Sequence, residues 1–406
     1  MDKKKSTIYV VNQHYYPELA STGQVFQEIA EYLQKKGYSV TVLTGRPFYH
    51  SGEKVTAPKN EIINGVKVKR LWNTTFPKSS LLGKILNLFT FQISLLAYIL
   101  LFIGRSDRVI VGTNPPLAIS SITLANVFNR FKIIFVIQDL YPDILISSGL
   151  LGTSSLRFKI LKKIMKRSMN RSNSIITISD DMKNFIQEEY GIKDIQIINN
   201  WAIGDIYPMD TIGLKKQRGW DSKFIVQYSG NFGVAHEYNT LLHTIRCLQE
   251  NTGILFHIVG GGINYTKLRE ACRGEGLNNV CFEDYVQKDE LNSSLNLADI
   301  SLIIFDDTFR NVLLPSKYYG ILACSKPIIL ISGADNDIKR DIEKYETGVN
   351  IKTGEYEKMA ETLAELAHNP EKLASLGIHV KQLFECRYTK EKALNKYVET
   401  VKLYEQ

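Results

Sequence analysis

Hydrophobic positions along the chain fall into short unbroken runs, separated by stretches in which apolar residues recur every three or four. The runs at 8–12, 40–45 (VTVLTG), 108–112 (RVIVG), 132–137 (KIIFVI) and 174–179 (SIITIS) read as buried strands, because Val, Ile and Phe continue without polar alternation. HYYPELASTGQ, with Pro17 and Gly23, reads as a loop after the first strand, followed by an amphipathic helix to Lys36 that Gly37 closes. EIINGVKVKRLW predicts a hairpin turning at Asn64-Gly65, and DDMKNFIQEEYG a helix. Periodicity lapses between Gly204 and Lys216, where a domain junction is expected, and then resumes. Strands KFIVQYSG, ILFHIVGGG, VCFEDYV and ISLIIF alternate with helices at 238–250, 264–275 and 289–297, and helices are expected up to Tyr345 and on to Gln406. A length of 406 residues exceeds one ordinary core. Strands alternating with helices in both halves predict an α/β protein of two doubly wound domains facing each other.

One apolar stretch breaks this pattern by its length. LLGKILNLFTFQISLLAYILLFIG, residues 81–104, is long enough to span a bilayer, but Lys84, Asn87 and Gln92 dilute it. Lys78 before it and Arg105 and Arg108 after it give no orientation bias. A span would place the flanking α/β strands on opposite sides of a membrane, which excludes it; a core helix and a membrane-surface helix remain. RFKILKKIMKRSMNR, residues 157–171, carries seven basic side chains, with Phe158, Leu161, Ile164, Met165 and Met169 at helical spacing. Such a basic amphipathic helix suits anionic lipid and puts Lys162, Lys163 and Lys166 toward a membrane or acceptor; a solvated helix face is the other reading.

Charge sharpens this picture. Residues 1–205 carry 26 Lys and Arg against 15 Asp and Glu, a net +11, whereas residues 206–406 carry 24 against 27, a net −3. The first half therefore asks for an anionic partner. The basic run lacks a recognition motif or aromatic platform, so a headgroup or diphosphate fits better than nucleic acid. Five cysteines, all in the second half, show no C-x-x-C pairing and no metal-ligand spacing, as expected of reduced thiols in a cytosolic protein. The start, MDKKKSTIYVV, runs into a strand with no cleavable apolar region.

The candidate chemistry gathers on VLLPSKYYGILACSKPIIL, residues 312–330. It reads as a loop ending at Pro315, a helix over Ser316–Cys324 and a strand over Pro327–Ile331, with Ser316 at the N-cap and Lys317 in the first turn. A lysine there opposes the helix dipole, and a bound anion would account for it; a solvated lysine is the alternative. Asp139 follows the strand 132–137, outside the carboxyl end where open parallel sheets hold ligands, although a carboxylate there also caps turns. The loop after the first strand lacks G-x-G-x-x-G, so an NAD-type site is not supported. Asp335-Asn336-Asp337 follows a strand and opens a helix, so it reads as a cap rather than a metal site.

NQHYYPE, GTNPPL, QDLYPD, YSGNFG, VGGG and LPSKYYGILACSKPIIL occur in one order along the chain. Together they resemble the family-4 retaining glycosyltransferases of the GT-B fold, in the branch of fucosyl and N-acetylfucosaminyl transferases that build colanic acid, O-antigen and capsule. The resemblance covers essentially the whole chain. It implies two Rossmann-like domains across a cleft: an acceptor-side, membrane-facing domain at 1–205, a donor domain at 206–387, and a final helix at 388–406 crossing back. It places Gly230, Asn231, Gly233, His236, Gly260 and Gly261 near the nucleotide sugar, with Ser316, Lys317 and Gly320. Gly23 would lie under the diphosphate, Asp139 would face the transferred sugar or acceptor, and Tyr15, Glu18 and Asn114 would lie on the acceptor side.

Departures from the family pattern carry information. The usual E-x7-E pair falls on Val312 and Gly320, so the customary ribose ligand is missing. The usual Arg and Lys after the first strand of the second domain fall on Asn231 and His236, which leaves Lys317 as the natural diphosphate partner. The resulting expectation is a cytoplasmic enzyme, peripheral on the inner face of the membrane. It would move a sugar from a nucleotide donor, UDP more than GDP, to a lipid-linked saccharide on undecaprenyl diphosphate, with retention and with neither metal nor cofactor. The rival readings are a GT-B nucleotide-sugar epimerase, which would not sediment with membranes, and a non-catalytic nucleotide-sugar-binding subunit, which would not hydrolyse a donor.

Overall fold

The structure is a computed structural model that describes residues 6–18, 21–47, 56–76, 81–233 and 236–405. Lys78 of the sequence reading lies outside this set. The chain divides into two units.

The first unit takes residues 1–199, 311–313 and 393–406. Its sheet contains β1 (Thr7–Val11), β2 (Ser39–Thr44), β3 (Asn60–Ile63), β4 (Val66–Arg70), β5 (Arg108–Val111), β6 (Lys132–Ile137), β7 (Ser174–Thr177) and β8 (Gln196–Ile197). Their order across the sheet is β3-β4-β2-β1-β5-β6-β7-β8, parallel except for the β3–β4 hairpin. At that hairpin Asn64 and Gly65 both take positive φ, 49° and 81°, as the turn signal required. The helices are α1 (Ser21–Lys35), α2 (Leu81–Phe102), α3 (Ala118–Asn129), α4 (Asp143–Ser147), α5 (Leu156–Asn170) and α6 (Asp180–Tyr190). Strand order reverses between β1 and β5, so the loops after β1, β5 and β6 meet at the kind of switch point where ligands bind.

The second unit takes residues 200–310 and 314–392. Its strands are β9 (Phe224–Asn231), β10 (Ile254–Gly261), β11 (Val280–Glu283), β12 (Ile300–Ile304), β13 (Ile328–Ile331) and β14 (Gly348–Ile351), all parallel in the order β11-β10-β9-β12-β13-β14. The helices are α7 (Ile212–Gln217), α8 (Asn239–Cys247), α9 (Ile263–Gly274), α10 (Leu291–Asn296), α11 (Lys317–Ala323), α12 (Asp337–Tyr345), α13 (Tyr356–Ala367) and α14 (Pro370–Leu383). Its switch point lies between β9 and β12. A core of Val226, Tyr228, Phe256, Ile258, Leu302 and Leu363 joins the sheet to the helices covering it. Both sheets are the mixed α/β, Rossmann-like arrangement that the alternating pattern predicted.

The last helix, α15 (Lys390–Lys402), runs from the second unit into the first. Tyr32 donates to Asn395 at 2.7 Å, Thr400 to Gln196 at 2.8 Å, and Arg108 Nε to the Tyr404 carbonyl at 3.0 Å.

Three local readings change. Gly23 lies inside α1, not in the preceding loop; a Cβ there would meet the His14 carbonyl at 3.1 Å, so the glycine lets α1 press against that loop. Helix α7 occupies part of the expected junction, and the units divide at Asn199–Asn200 instead. The sequence reading overlooked β14, because GVNI is an edge strand too short and polar to show a period.

Candidate donor site and exposed apolar helices

In the second unit the glycines at the ends of β9 and β10 allow the two strands to touch. Gly230, Gly260 and Gly262 have φ of 131°, 128° and 122°, and a Cβ on Gly260 would lie 2.2 Å from the Gly230 carbonyl oxygen. Only glycine fits there. The loop after β9 is pinned across this contact: Phe232 N donates to the Gly261 carbonyl at 2.7 Å, and Asn264 on α9 donates to the carbonyls of Gly233 and His236 at 3.2 and 2.7 Å. A ligand above these ends would meet backbone rather than side chains.

Lys317 is aimed at this same place. Its ammonium lies 3.8 Å from the centre of the Tyr228 ring, donates to the Tyr228 hydroxyl and sits 3.4 Å from His236 Nε2. A Cβ on Gly230 would lie in ordinary contact with Lys317 Cε, at 3.6 Å, so the lysine runs directly alongside this strand end. Among the described residues no carboxylate pairs with Lys317. Burial therefore pulls its ammonium down to about 7, and pulls His236 down to about 4 with help from the neighbouring lysine. The result is a part-buried amine at glycine-lined strand ends whose partners among the described residues are neutral.

The other expected residues of this unit are brought to the same loops or helix. The Asn231 carbonyl accepts from Tyr228, and the Gly233 carbonyl accepts from His236 N at 3.2 Å. Gly320 lies one helical turn beyond Lys317 on α11. Ser316 corrects the cap reading: it is exposed, takes helical angles and makes no side-chain cap. Lys317 next to it is held by its contact with Tyr228. Asn336, by contrast, does cap α12, accepting from Lys339 N at 3.0 Å.

Two tyrosines of this region escaped the sequence reading. Tyr228 is hidden in a strand run. Tyr285 follows β11, is 60% exposed, and its ring stands 3.0 Å from where a Gly261 Cβ would be. Its place beside Gly261 is set by the fold, and VCFEDYV gives no signal of it.

In the first unit Asp139 leaves the carboxyl end of β6. Its backbone N donates to Thr113 Oγ1 at 3.3 Å, and among the described residues no donor reaches its carboxylate. Burial alone raises it to about 6. Nearby, the Asn114 carbonyl accepts from Gln13 N at 2.8 Å, which ties the loops after β1 and β5 together. Tyr15 and Glu18 are both buried in the loop after β1. Tyr15 is 2% exposed, and Glu18 is buried against His14 Nδ1 at 2.5 Å. They shape the loop from inside.

Helix α2 turns Phe91, Leu95 and Ile99 inward, while Leu82, Ile85, Phe89, Ile93 and Leu101 are exposed. It packs on α3, whose Leu124, Val127 and Phe128 are also exposed, and α3 packs on α5. The apolar residues Phe158, Met165 and Met169 of α5 are buried, and a second stripe, Leu156, Ile160 and Ile164, faces outward. Lys163 and Lys166 flank that stripe in solvent. Lys162 is a correction: it is held by Glu189 at 2.6 Å and lies over the Tyr190 ring at 5.2 Å, so it braces α5 on α6. Among the described residues α2 is the one helix long and apolar enough to cross a bilayer by length and composition.

The Glycosyltransferase Family 4 model matches residues 22–202 and the Glycosyl transferases group 1 model residues 213–382. The chain is 22% identical over 406 residues to WbjE of Pseudomonas aeruginosa, described as a glycosyltransferase, covering 97% of each. It is 26% identical over 357 residues to WcaI of Escherichia coli K12, described as a colanic acid biosynthesis glycosyl transferase, covering 84% of this chain and 86% of that protein. Among solved structures, the sucrose-phosphate synthase of Thermosynechococcus elongatus superposes with a TM-score of 0.77 at 15% identity, covering 98% of this chain and 99% of that one. Anabaena HepE, in complex with UDP and glucose, gives 0.71 at 14% identity, with the same coverage. Two family domains in sequence, on the two sheets such enzymes are built from, make this chain a member of the family 4 and group 1 glycosyltransferases of GT-B type.

Proposed function

We propose that the protein transfers a sugar, of the fucose or N-acetylfucosamine type, from a nucleotide-diphosphate donor to a lipid-linked saccharide during bacterial surface-polysaccharide synthesis. One observation carries the reading: the Lys317 ammonium, which among the described residues has no carboxylate partner, is held against Tyr228 at the glycine-lined ends of β9 and β10. A diphosphate lying against these backbones supplies the missing anion. Positive groups aimed at developing phosphate charge lower the barrier to its departure. Tyr285, exposed beside Gly261, offers a face for the base, and the UDP complex of HepE supports a uridine nucleotide.

Asp139 serves the transferred sugar or the acceptor hydroxyl. Its environment keeps the carboxyl close to neutral-pH titration, which suits a group that orients a hydroxyl or stabilises positive charge at the anomeric carbon. In a retaining reaction the departing phosphate oxygen takes the acceptor proton, so no separate base is required. With Lys317 neutralising the diphosphate, activity is expected to persist in EDTA.

The acceptor carrier, undecaprenyl diphosphate, brings the enzyme to the inner face of the cell membrane. The exposed apolar residues of α2, α3 and α5, bordered by Lys163 and Lys166, support that setting. WbjE and WcaI, the latter named for colanic acid synthesis, support the polysaccharide context. The test is transfer of radiolabelled sugar from a panel of UDP- and GDP-sugars to a membrane extract carrying lipid-linked saccharides. Product formation by wild type and not by Lys317→Ala supports the reading. Binding without transfer or hydrolysis for every donor would leave a non-catalytic subunit.

A further inference from the structure

Tyr228 is fully buried on β9, its ring stacked on Phe232 with centroids 4.5 Å apart and edge-on to His236 at 6.1 Å. Its hydroxyl hydrogen goes to the Asn231 carbonyl at 2.9 Å, which leaves the oxygen free to accept, and Lys317 donates to it. His236 completes the surround. Its Nδ1 faces the Gly233 carbonyl at 3.4 Å, so Nδ1 carries the proton and the Nε2 lone pair faces the ammonium. From β9 the lysine therefore meets a phenol, and from the following loop a neutral imidazole. Farther out, Asp306 after β12 acts on His236, and Tyr285 after β11 acts on Tyr228.

We propose that Tyr228 is the positioning residue of the donor site. Its one hydroxyl ties Lys317 to the Gly230–Gly233 turn in the free protein and yields the ammonium to the diphosphate when a donor enters. The proposal rests on the reading of Lys317 as the diphosphate partner. Neutral acceptors stabilise an ammonium less than an anion does. The free lysine, held down to about 7 by burial, is partly uncharged above neutrality. A diphosphate restores the charge, so donor binding at pH 8 takes up a proton. Removing the hydroxyl removes one acceptor of the charged form, and the lysine should titrate lower still.

Two measurements test this, one without any ligand. Competitive acetylation of Lys317, read by peptide mass spectrometry across pH 5–10, reports the lysine's midpoint in the free protein. Tyr228→Phe should lower that midpoint by about one unit, the size of losing a charge-assisted hydrogen bond. An unchanged midpoint would overturn the positioning role. Calorimetry with UDP, GDP and ADP, in buffers of different ionisation enthalpy at pH 8, reports proton uptake where a terminal phosphate is already ionised. Wild type should take up a proton and lose affinity about tenfold per pH unit above its midpoint, with the loss starting earlier in Tyr228→Phe. Parallel pH profiles for the two proteins would reduce Tyr228 to a loop brace and overturn the proposal. Lys317→Met should bind weakly and without proton uptake; binding like wild type would overturn the donor reading itself. Failure of all three nucleotides to bind wild type would overturn both the donor reading and the coupling.

Discussion

At the scale of the residue, Lys317 and Asp139 show the same sacrifice of stability for chemistry, with opposite signs in pH. The Lys317 ammonium is held well below its unfolded value of 10.5. The cost of keeping it charged is therefore fully present below pH 7 and fades as pH rises toward that value. Lys317→Met should accordingly raise the melting temperature of the ligand-free protein most at pH 6 and hardly at all near pH 10. Lys317→Ala should lower kcat by about 10²–10³ if the side chain meets developing phosphate charge. The Asp139 carboxyl is raised from 3.8 to about 6, so its cost is fully present above pH 6 and vanishes below about 4. Asp139→Asn should stabilise at pH 8, leave stability at pH 4 unchanged, and lower kcat by about a hundredfold or more while nucleotide affinity holds. A kcat equal to wild type would remove Asp139 from the site. Both residues were marked in the sequence as candidates, a lysine at a helix start and an aspartate after a parallel strand, beside the readings of a solvated lysine and a turn cap. Tyr228 was not. In YSGNFG it is one more large side chain of a buried strand, and only folding shows which atom its hydroxyl meets.

At the scale of the element, α11 needs an anchor, because seven residues make a marginal helix. The anchor is Asp341 on α12, which accepts from Tyr318 at 2.8 Å, from Arg387 at 2.7 Å and from the Tyr388 hydroxyl. Burial pushes Asp341 up, opposed by the Tyr388 hydroxyl and Arg387. Asp341→Ala should cost about 2–3 kcal/mol in urea denaturation, less than a fully buried pair because Arg387 reaches water. Nucleotide affinity should fall with it, since Lys317 loses its fixed base. The outer helices pose the opposite case, apolar side chains that no described residue covers. Phe89→Ser with Ile93→Ser on α2, or Lys163→Glu with Lys166→Glu on α5, should weaken flotation with vesicles of anionic lipid. The lysine pair should cost about 1 kcal/mol per basic residue lost, and the effect should fade in high salt. Equal flotation of all variants would argue against the membrane setting. The sequence marked α5 as amphipathic but assigned its faces wrongly. Phe158 and Met165 fill the core, while Leu156, Ile160 and Ile164 form a second apolar stripe that a single period cannot separate from the first.

At the scale of the whole molecule, the chain folds as two α/β units, and its last helix returns to the first. Leu394, Tyr397 and Val401 of α15 are buried there. A chain ending before Lys390 would remove them, uncover the surface they pack on, and take away the partners of Tyr32, Gln196 and Arg108. Such a truncation should lose the first unit's cooperative melting while the second unit's transition survives, which limited proteolysis with calorimetry would separate. Loss of both transitions together would show that the units fold as one.

Much of this protein was determined by the sequence alone, because strands and helices are written in local periods. Valine- and isoleucine-rich runs alternating with helical repeats specify two parallel sheets, Asn64-Gly65 specifies a hairpin, and the ordered motifs specify the enzyme family. Tertiary structure alone decided what each polar atom meets. Tyr15 and Glu18 sit in a motif yet turn inward, Lys162 is spent on Glu189, and Gly23 serves packing between α1 and the loop after β1. Lys317 looked like a helix-end cation, but it is a desolvated ammonium shared between Tyr228 and His236. Period and propensity act between neighbours in the chain, whereas burial and charge depend on residues 81 and 89 positions away, which only the closed fold brings within reach.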